Sequence, residues 1–201
     1  MAPVLEARDL TKTYRAGDGE VRALQGISLS VHLGEFLALM GPSGSGKTTL
    51  LQLLGGLDRP TSGEVILDGV AISSLDDDAA TRLRREKTGF VFQAFNLVPL
   101  LSARENVALP FLLAGRDPRT GETAARVDEA LELVDLRAKA DRRPGELAFG
   151  EQQRVAIARA IAGRRSFSPT SRPVISITRP AWRSCSTSTV RALSAARRWC
   201  P

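Results

Sequence analysis

The chain has 201 residues, 43% of them hydrophobic, enough for one domain, or one core with a smaller lobe, around a real buried interior. No run approaches the length of a membrane span and the N-terminus carries no signal-peptide pattern, so we expect a soluble chain whose membrane role comes through a partner. The net charge of +6 first points to nucleic acid, but eight of the 28 basic residues are arginines beyond Gly163, where there is no Asp or Glu. Residues 1–162 hold 20 basic against 22 acidic side chains, so the basic character belongs to the tail. Both cysteines, Cys185 and Cys200, lie there too, and a cysteine-free body fits a reducing compartment.

In chain order, Val4 to Leu10 alternates loosely, as a half-exposed strand does, and Ala16-Gly17-Asp18-Gly19 is a turn before a return over 21–31 as one strand or a pair of short strands. Tyr14, the only tyrosine, is either an aromatic face for an adenine ring or an ordinary half-buried strand residue. His32, the only histidine, reads as a surface strand residue.

Glu35 to Met40 is short and apolar, as a buried parallel strand would be. It leads into Gly41, Pro42, Ser43, Gly44, Ser45, Gly46, Lys47 and Thr48, which fit G-x-x-x-x-G-K-[ST] at every fixed position. A helical pattern over 49–54 then stops at Gly55-Gly56. In a strand–loop–helix context the glycines turn backbone N–H groups inward, and the helix start adds its positive end, so the site binds a nucleoside triphosphate. Lys47 would reach the β- and γ-phosphates and the Thr48 hydroxyl would ligate Mg²⁺.

Residues 58–63 form a turn, 64–69 a strand with a second turn, and 76–87 a charged surface helix. Gly89 to Phe92 reads as a buried strand delivering Gln93 to its end, where a polar side chain is placed for Mg²⁺ or the attacking water, or is simply a loop amide. From Asn96 to Pro144 the pattern is helical, with prolines 99, 110 and 118 separating short elements before an amphipathic helix over 124–136. A last helix spans Glu151 to Ala162, ended by Gly163, and Gly150 before it makes a second anion-binding helix start plausible.

This order of features, closed by Leu147-Ala148-Phe149-Gly150-Glu151-Gln152-Gln153-Arg154-Val155-Ala156-Ile157-Ala158-Arg159-Ala160, resembles the ATP-binding subunits of ABC transporters over residues 4 to about 163. Residues 57–63 and 104–110 are most similar to the lipoprotein-release and macrolide-export branch. The resemblance implies an α/β fold: a P-loop NTPase sheet core, an N-terminal antiparallel β subdomain and an inserted helical subdomain over about 96–150. It implies that Tyr14 stacks on adenine, that Gly41 to Thr48 together with Thr49 hold the phosphates of ATP, and that Gln93 senses the γ-phosphate and Mg²⁺. Leu147, Ala148, Phe149, Gly150 and Glu151 would cap the γ-phosphate of ATP on a second nucleotide-binding subunit of a dimer. The implied partner is a membrane permease, not nucleic acid. The implied location is cytoplasmic, peripheral on the inner face of a bacterial plasma membrane.

Two departures stand against the family pattern. Ala148 and Phe149 replace the serine and first glycine of the usual Leu-Ser-Gly-Gly signature, removing a hydroxyl and placing a ring where bare backbone approaches the ligand. Residues 164–201 contain no Asp, Glu or His, where the family has an apolar strand, an acidic pair and later a histidine. Read one base over, with permitted codon choices, Ser166 to Ile177 spell Val-Leu-Leu-Ala-Asp-Glu-Pro-Thr-Gly-Asn-Leu-Asp. We therefore expect residues 1–163 to be a truncated nucleotide-binding domain and 164–201 an out-of-frame, poorly ordered basic tail. We expect such a chain to bind ATP weakly and to hydrolyse it little or not at all. The alternatives are a non-hydrolysing nucleotide-binding remnant, a soluble ABC-type ATPase acting on nucleic acid or ribosomes, and, for the tail, a natural basic extension.

Overall fold

A computed structural model describes residues 2–17, 19–163, 174–177 and 190–194, the last two segments by their backbone. The chain forms two compact units, one built on Met1–Lys87 with the strand at 190–194, the other on Thr88–Ser168 with the strand at 174–177.

In the first unit, β1 (Leu5–Ala16) and β2 (Gly19–Val31) pair antiparallel from Leu5↔Val31 to Ala16↔Gly19. The first strand therefore runs well past the Leu10 end expected from its alternation, and it carries Tyr14. After β3 (Phe36–Met40) and α1 (Lys47–Leu54) come β4 (Ser62–Leu67) and β5 (Val70–Ala71), which complete a sheet of order β2-β1-β4-β5. The helix α2 (Asp77–Lys87) follows as a charged surface helix, with Asp77 and Asp78 in its first turn and Arg84, Arg85 and Lys87 in its last, the order that suits the helix dipole. The core joins Leu5, Ala7, Leu10, Leu24, Val65 and Leu67 of the sheet to Leu50, Leu53 and Leu54 of α1.

β3 is parallel, as expected, paired with β8 (Val190–Ser194) from Phe36↔Val190 to Met40↔Ser194. It is not buried on both faces. Leu37 and Leu39 pack on the core while Phe36, on the other face, is 50% exposed, because alternate strand residues point to opposite sides. α1 begins at Lys47, two residues earlier than the periodicity suggests, and ends at Gly55. His32 lies just after β2, its backbone N–H donating to the Glu35 carboxylate at 2.9 Å.

In the second unit, β6 (Gly89–Phe92) precedes α3 (Ala103–Leu112), α4 (Gly121–Leu133) and α5 (Phe149–Ala162). The three helices share a core of Val107, Ala108, Phe111, Val127, Leu131, Val155 and Ala158. α3 starts with a full capping box: Ser102 Oγ accepts from Glu105 N, and the Glu105 carboxylate accepts from Ser102 N. Pro110 does not separate elements; it lies inside α3, where Leu113 N still donates to Leu109 O. β6 pairs in parallel with β7 (Val174–Ile177). Gly89 opens β6 where any Cβ would meet the backbone carbonyl of Ala160, so strand and helix touch through main chain.

Of the stretch after Gly163 expected to be poorly ordered, β7 and β8 are described; the rest lies outside the described residues, as do the acidic-string positions 166–173. Among the described residues, no helix is long and apolar enough to cross a membrane.

Candidate functional site

The loop leaving β3 cannot continue as a strand, because Gly44 (φ +82°) and Gly46 (φ +76°) take the left-handed region that side chains rarely adopt. The chain closes on itself through Ser45 N donating to Pro42 O at 3.4 Å. Gly46 then caps α1 with no side-chain hydrogen bond, and the first turn holds no acidic residue. The positive end of the helix is left without a negative partner of its own.

Lys47 is half-buried, and its ammonium donates to Gly41 O at 2.9 Å, Pro42 O at 2.5 Å and Ser45 Oγ at 3.1 Å. All three protons are therefore spent on the loop, and none of these acceptors is a carboxylate. Thr48 is exposed beside it in the first turn, as are Gly41, Pro42, Ser43 and Gly44. A ring of glycine backbone, an ammonium and a free helix start is a donor set that fits a polyphosphate.

Tyr14 is 38% exposed on β1, and its surroundings are more elaborate than either sequence reading. Its hydroxyl donates to Asp58 Oδ2 at 2.9 Å. Lys12, two residues earlier on the same strand, stands 4.9 Å above the ring centroid. Its ammonium donates to Asp58 Oδ1 at 2.7 Å and Arg59 O at 2.6 Å. Burial pushes Asp58 upward, but the bonds from Lys12, Tyr14 and the Arg59 N–H outweigh it and hold the carboxyl below its ordinary range. Burial and the Asp58 bond raise Tyr14.

In the second unit, Gln93 is exposed immediately after β6, as the strand-end reading requires. The turn behind it is left-handed at Phe95 (φ +60°) and Asn96 (φ +48°). Arg159 of α5 donates to both carbonyls, at 2.5 Å to Phe95 O and 2.6 Å to Asn96 O, and burial lowers its affinity for its proton. Phe95 itself is buried with Val91, Ala156 and Ala160.

Leu147 is buried, Ala148 caps α5, and Phe149 is its first helical residue, so no left-handed conformation is asked of the ring. The Phe149 side chain is 73% exposed and meets Phe95 edge-to-face, with centroids 4.8 Å apart. Glu151 Oε2 accepts from Ala148 N at 3.0 Å, and Oε1 accepts from Lys139 at 2.5 Å; the Lys139 and Ala148 bonds pull the Glu151 carboxyl below its ordinary range. Alanine supplies no oxygen in return, so this capping box is one-sided. A Cβ at Gly150 would meet nothing within 4 Å, leaving the helix start open.

Among the described residues no group of three His, Cys, Asp or Glu side chains could hold a metal. Mg²⁺ keeps waters and phosphate oxygens and needs few protein oxygens, so the hydroxyl of Thr48 in the first unit and, separately, the side-chain amide of Gln93 in the second are each of a kind that suits it.

Four residues of this arrangement escaped the sequence reading: Lys12, Asp58, Phe95 and Arg159. Lys12 had a signal, its spacing of two from Tyr14 on a strand. The others act across 44 to 64 residues of chain, which no local pattern reveals.

The ABC transporter family model matches residues 24–168, from the sheet through α5. The chain is 48% identical over 159 residues to the lipoprotein-releasing system ATP-binding protein of Alcanivorax borkumensis, covering 79% of this chain and 69% of that protein. It is 46% identical over 159 residues to a macrolide export ATP-binding/permease protein of Marinobacter nauticus, covering 79% of this chain and 24% of that longer one. Among solved structures, the dimeric, post-hydrolysis ATP-binding cassette of Methanocaldococcus jannaschii bound to ADP and Pi superposes with a TM-score of 0.72 at 47% identity. That superposition covers 79% of this chain and 69% of the cassette. ABC ATPases of this kind hydrolyse ATP coupled to transport. With the glycine loop, the strand-end glutamine and the helix behind Leu147 all inside the matched region, the chain belongs to the ABC transporter family.

Proposed function

We propose that this chain binds ATP as the nucleotide-binding subunit of a transporter of the export or lipoprotein-release type, docked on a membrane permease and paired with a second copy. The observation that carries the reading is the Lys47 ammonium, held by Gly41 O, Pro42 O and Ser45 Oγ at an uncapped helix start. In this reading Gly41 to Thr49 hold the triphosphate, with Lys47 exchanging its loop acceptors for phosphate oxygens. Thr48 and Gln93 would hold Mg²⁺, which supplies charge neutralisation of the phosphates. Tyr14 offers its ring to the base, and Leu147 to Glu151 face the nucleotide of the second copy. The dimeric relative bound to ADP and Pi supports the pairing. The name of the lipoprotein-releasing relative supports the permease, and the slightly acidic body of residues 1–162 supports a partner other than nucleic acid.

We further propose that turnover is weak. Residues 164–201 supply no carboxylate for Mg²⁺ or for water, and a shift of reading frame near Arg164 and Arg165 accounts for this. Titration calorimetry with ATP and a phosphate-release assay test the reading together. We expect ATP binding that is lost in Lys47→Ala, with phosphate release far below that of an intact relative. Release at the relative's rate overturns the weak-turnover reading; absence of ATP binding overturns the function. The coding DNA decides the frame: codons for 166–177 that do not hold the acidic string one base over exclude the shift.

A further inference from the structure

The contacts around Tyr14 divide into two kinds. Its hydroxyl bond to Asp58 lies on the long axis of the ring and fixes where the ring ends. Bonds on that axis leave the ring free to turn about it. Lys12, 4.9 Å above the centroid, bears on the face of the ring and so on its plane. Lys12 is itself held by Asp58 and Arg59 O, and its side chain is only 13% exposed. Asp58 uses both carboxylate oxygens, one for Lys12 and one for Tyr14, and Oδ1 also accepts from Arg59 N at 2.7 Å. The ring thus has its hydroxyl and one face engaged, while the residue as a whole keeps 38% of its surface exposed to a ligand.

We propose that Lys12 and Asp58 are positioning residues that fix the plane of the Tyr14 ring and so determine how much the base of a bound nucleoside triphosphate adds to its affinity. The inference rests on the ATP reading above and deepens it. A ring held in place before binding loses no freedom when a base stacks on it, and freeing it returns that cost to the complex. Lys12 also removes one face from use, so the base stacks on the side away from the ammonium. The phosphates are held elsewhere, by the loop from Gly41 to Thr49, so the base contribution separates from the phosphate contribution.

The test compares ATP with inorganic tripolyphosphate, which has the phosphates and no base, by calorimetry on the full chain. In the wild type ATP binds more tightly than tripolyphosphate. Tyr14→Ala removes the stacking face and lowers that ratio about tenfold. Lys12→Met and Asp58→Ala lower the ratio by roughly three- to tenfold, while Lys12→Arg, which keeps charge and reach, leaves it near the wild-type value. A purely structural loss, or the loss of one positive charge near the phosphates, would move both ligands together and leave the ratio unchanged. Variants that retain the wild-type ratio, or that lose both ligands alike in a chain whose wild type binds both, overturn the inference and spare the ATP reading. A wild type that binds neither ligand overturns the ATP reading and the inference with it.

Discussion

Phe149, the first residue of α5, rests edge-to-face on Phe95, two residues beyond Gln93, at 4.8 Å between centroids and 60° between planes. An aromatic pair of this geometry contributes about 0.5–1.5 kcal/mol beyond its buried area. Because the Phe149 ring is 73% exposed, little burial is lost with it. We expect Phe149→Ala to lower unfolding free energy by about 1 kcal/mol, read from the urea midpoint. A loss several times larger would show the ring to be part of the core.

The one-sided cap of α5 can be completed. Glu151 already accepts from Ala148 N, and its own N–H donates to the Ala148 carbonyl at 2.8 Å, so a serine at 148 would offer that N–H a side-chain acceptor in addition. Ala148→Ser should stabilise the chain by about 0.5–2 kcal/mol. A rise in melting temperature checks it; an unchanged or lower value would mean that the serine hydroxyl does not reach the Glu151 N–H.

Arg159 holds the Gln93 turn by two charge-assisted bonds to carbonyl oxygens. Arg159→Met leaves those carbonyls without their donor and should cost about 2–3 kcal/mol. Amide exchange at residues 94–97 should speed up more than exchange in α3 or α4. Equal acceleration everywhere would point to global loosening instead of a released turn.

Acid should weaken the fold through Asp58 and Glu151. Both carboxyls are held below their ordinary range, so between the folded and unfolded values the unfolded chain binds more protons and stability rises with pH. Their contribution is complete above the unfolded carboxylate range of about 3.9–4.3 and is lost as pH falls through the lower folded values. Denaturation midpoints measured across the acid range should show this slope, and Asp58→Asn should flatten part of it. A slope identical in the variant would remove Asp58 from the account.

The glycine loop was legible because its residue types are demanded by the backbone: Gly44 and Gly46 stand where φ is positive. Gln93 was legible because a four-residue apolar strand has one end. What stayed hidden depends on contacts between distant segments. Nothing near Asp58 in sequence announces Lys12 and Tyr14, 46 and 44 residues before it. Pro110 reads as a breaker, yet the helix around it is held by a core that includes Val107, Ala108 and Phe111, and tertiary packing outweighs one missing donor. The reading of β3 as fully buried rested on its unbroken apolar run, a pattern shared by a strand that covers one face only.

The main-chain contact between Gly89 and Ala160 has a mechanical meaning when set beside the Phe95–Phe149 pair. One lies at the start of β6 and near the end of α5, the other beyond the end of β6 and at the start of α5. Strand and helix are thus in contact at both ends and run in opposite senses. The turn that carries Gln93 is joined in this way to the exposed start of α5.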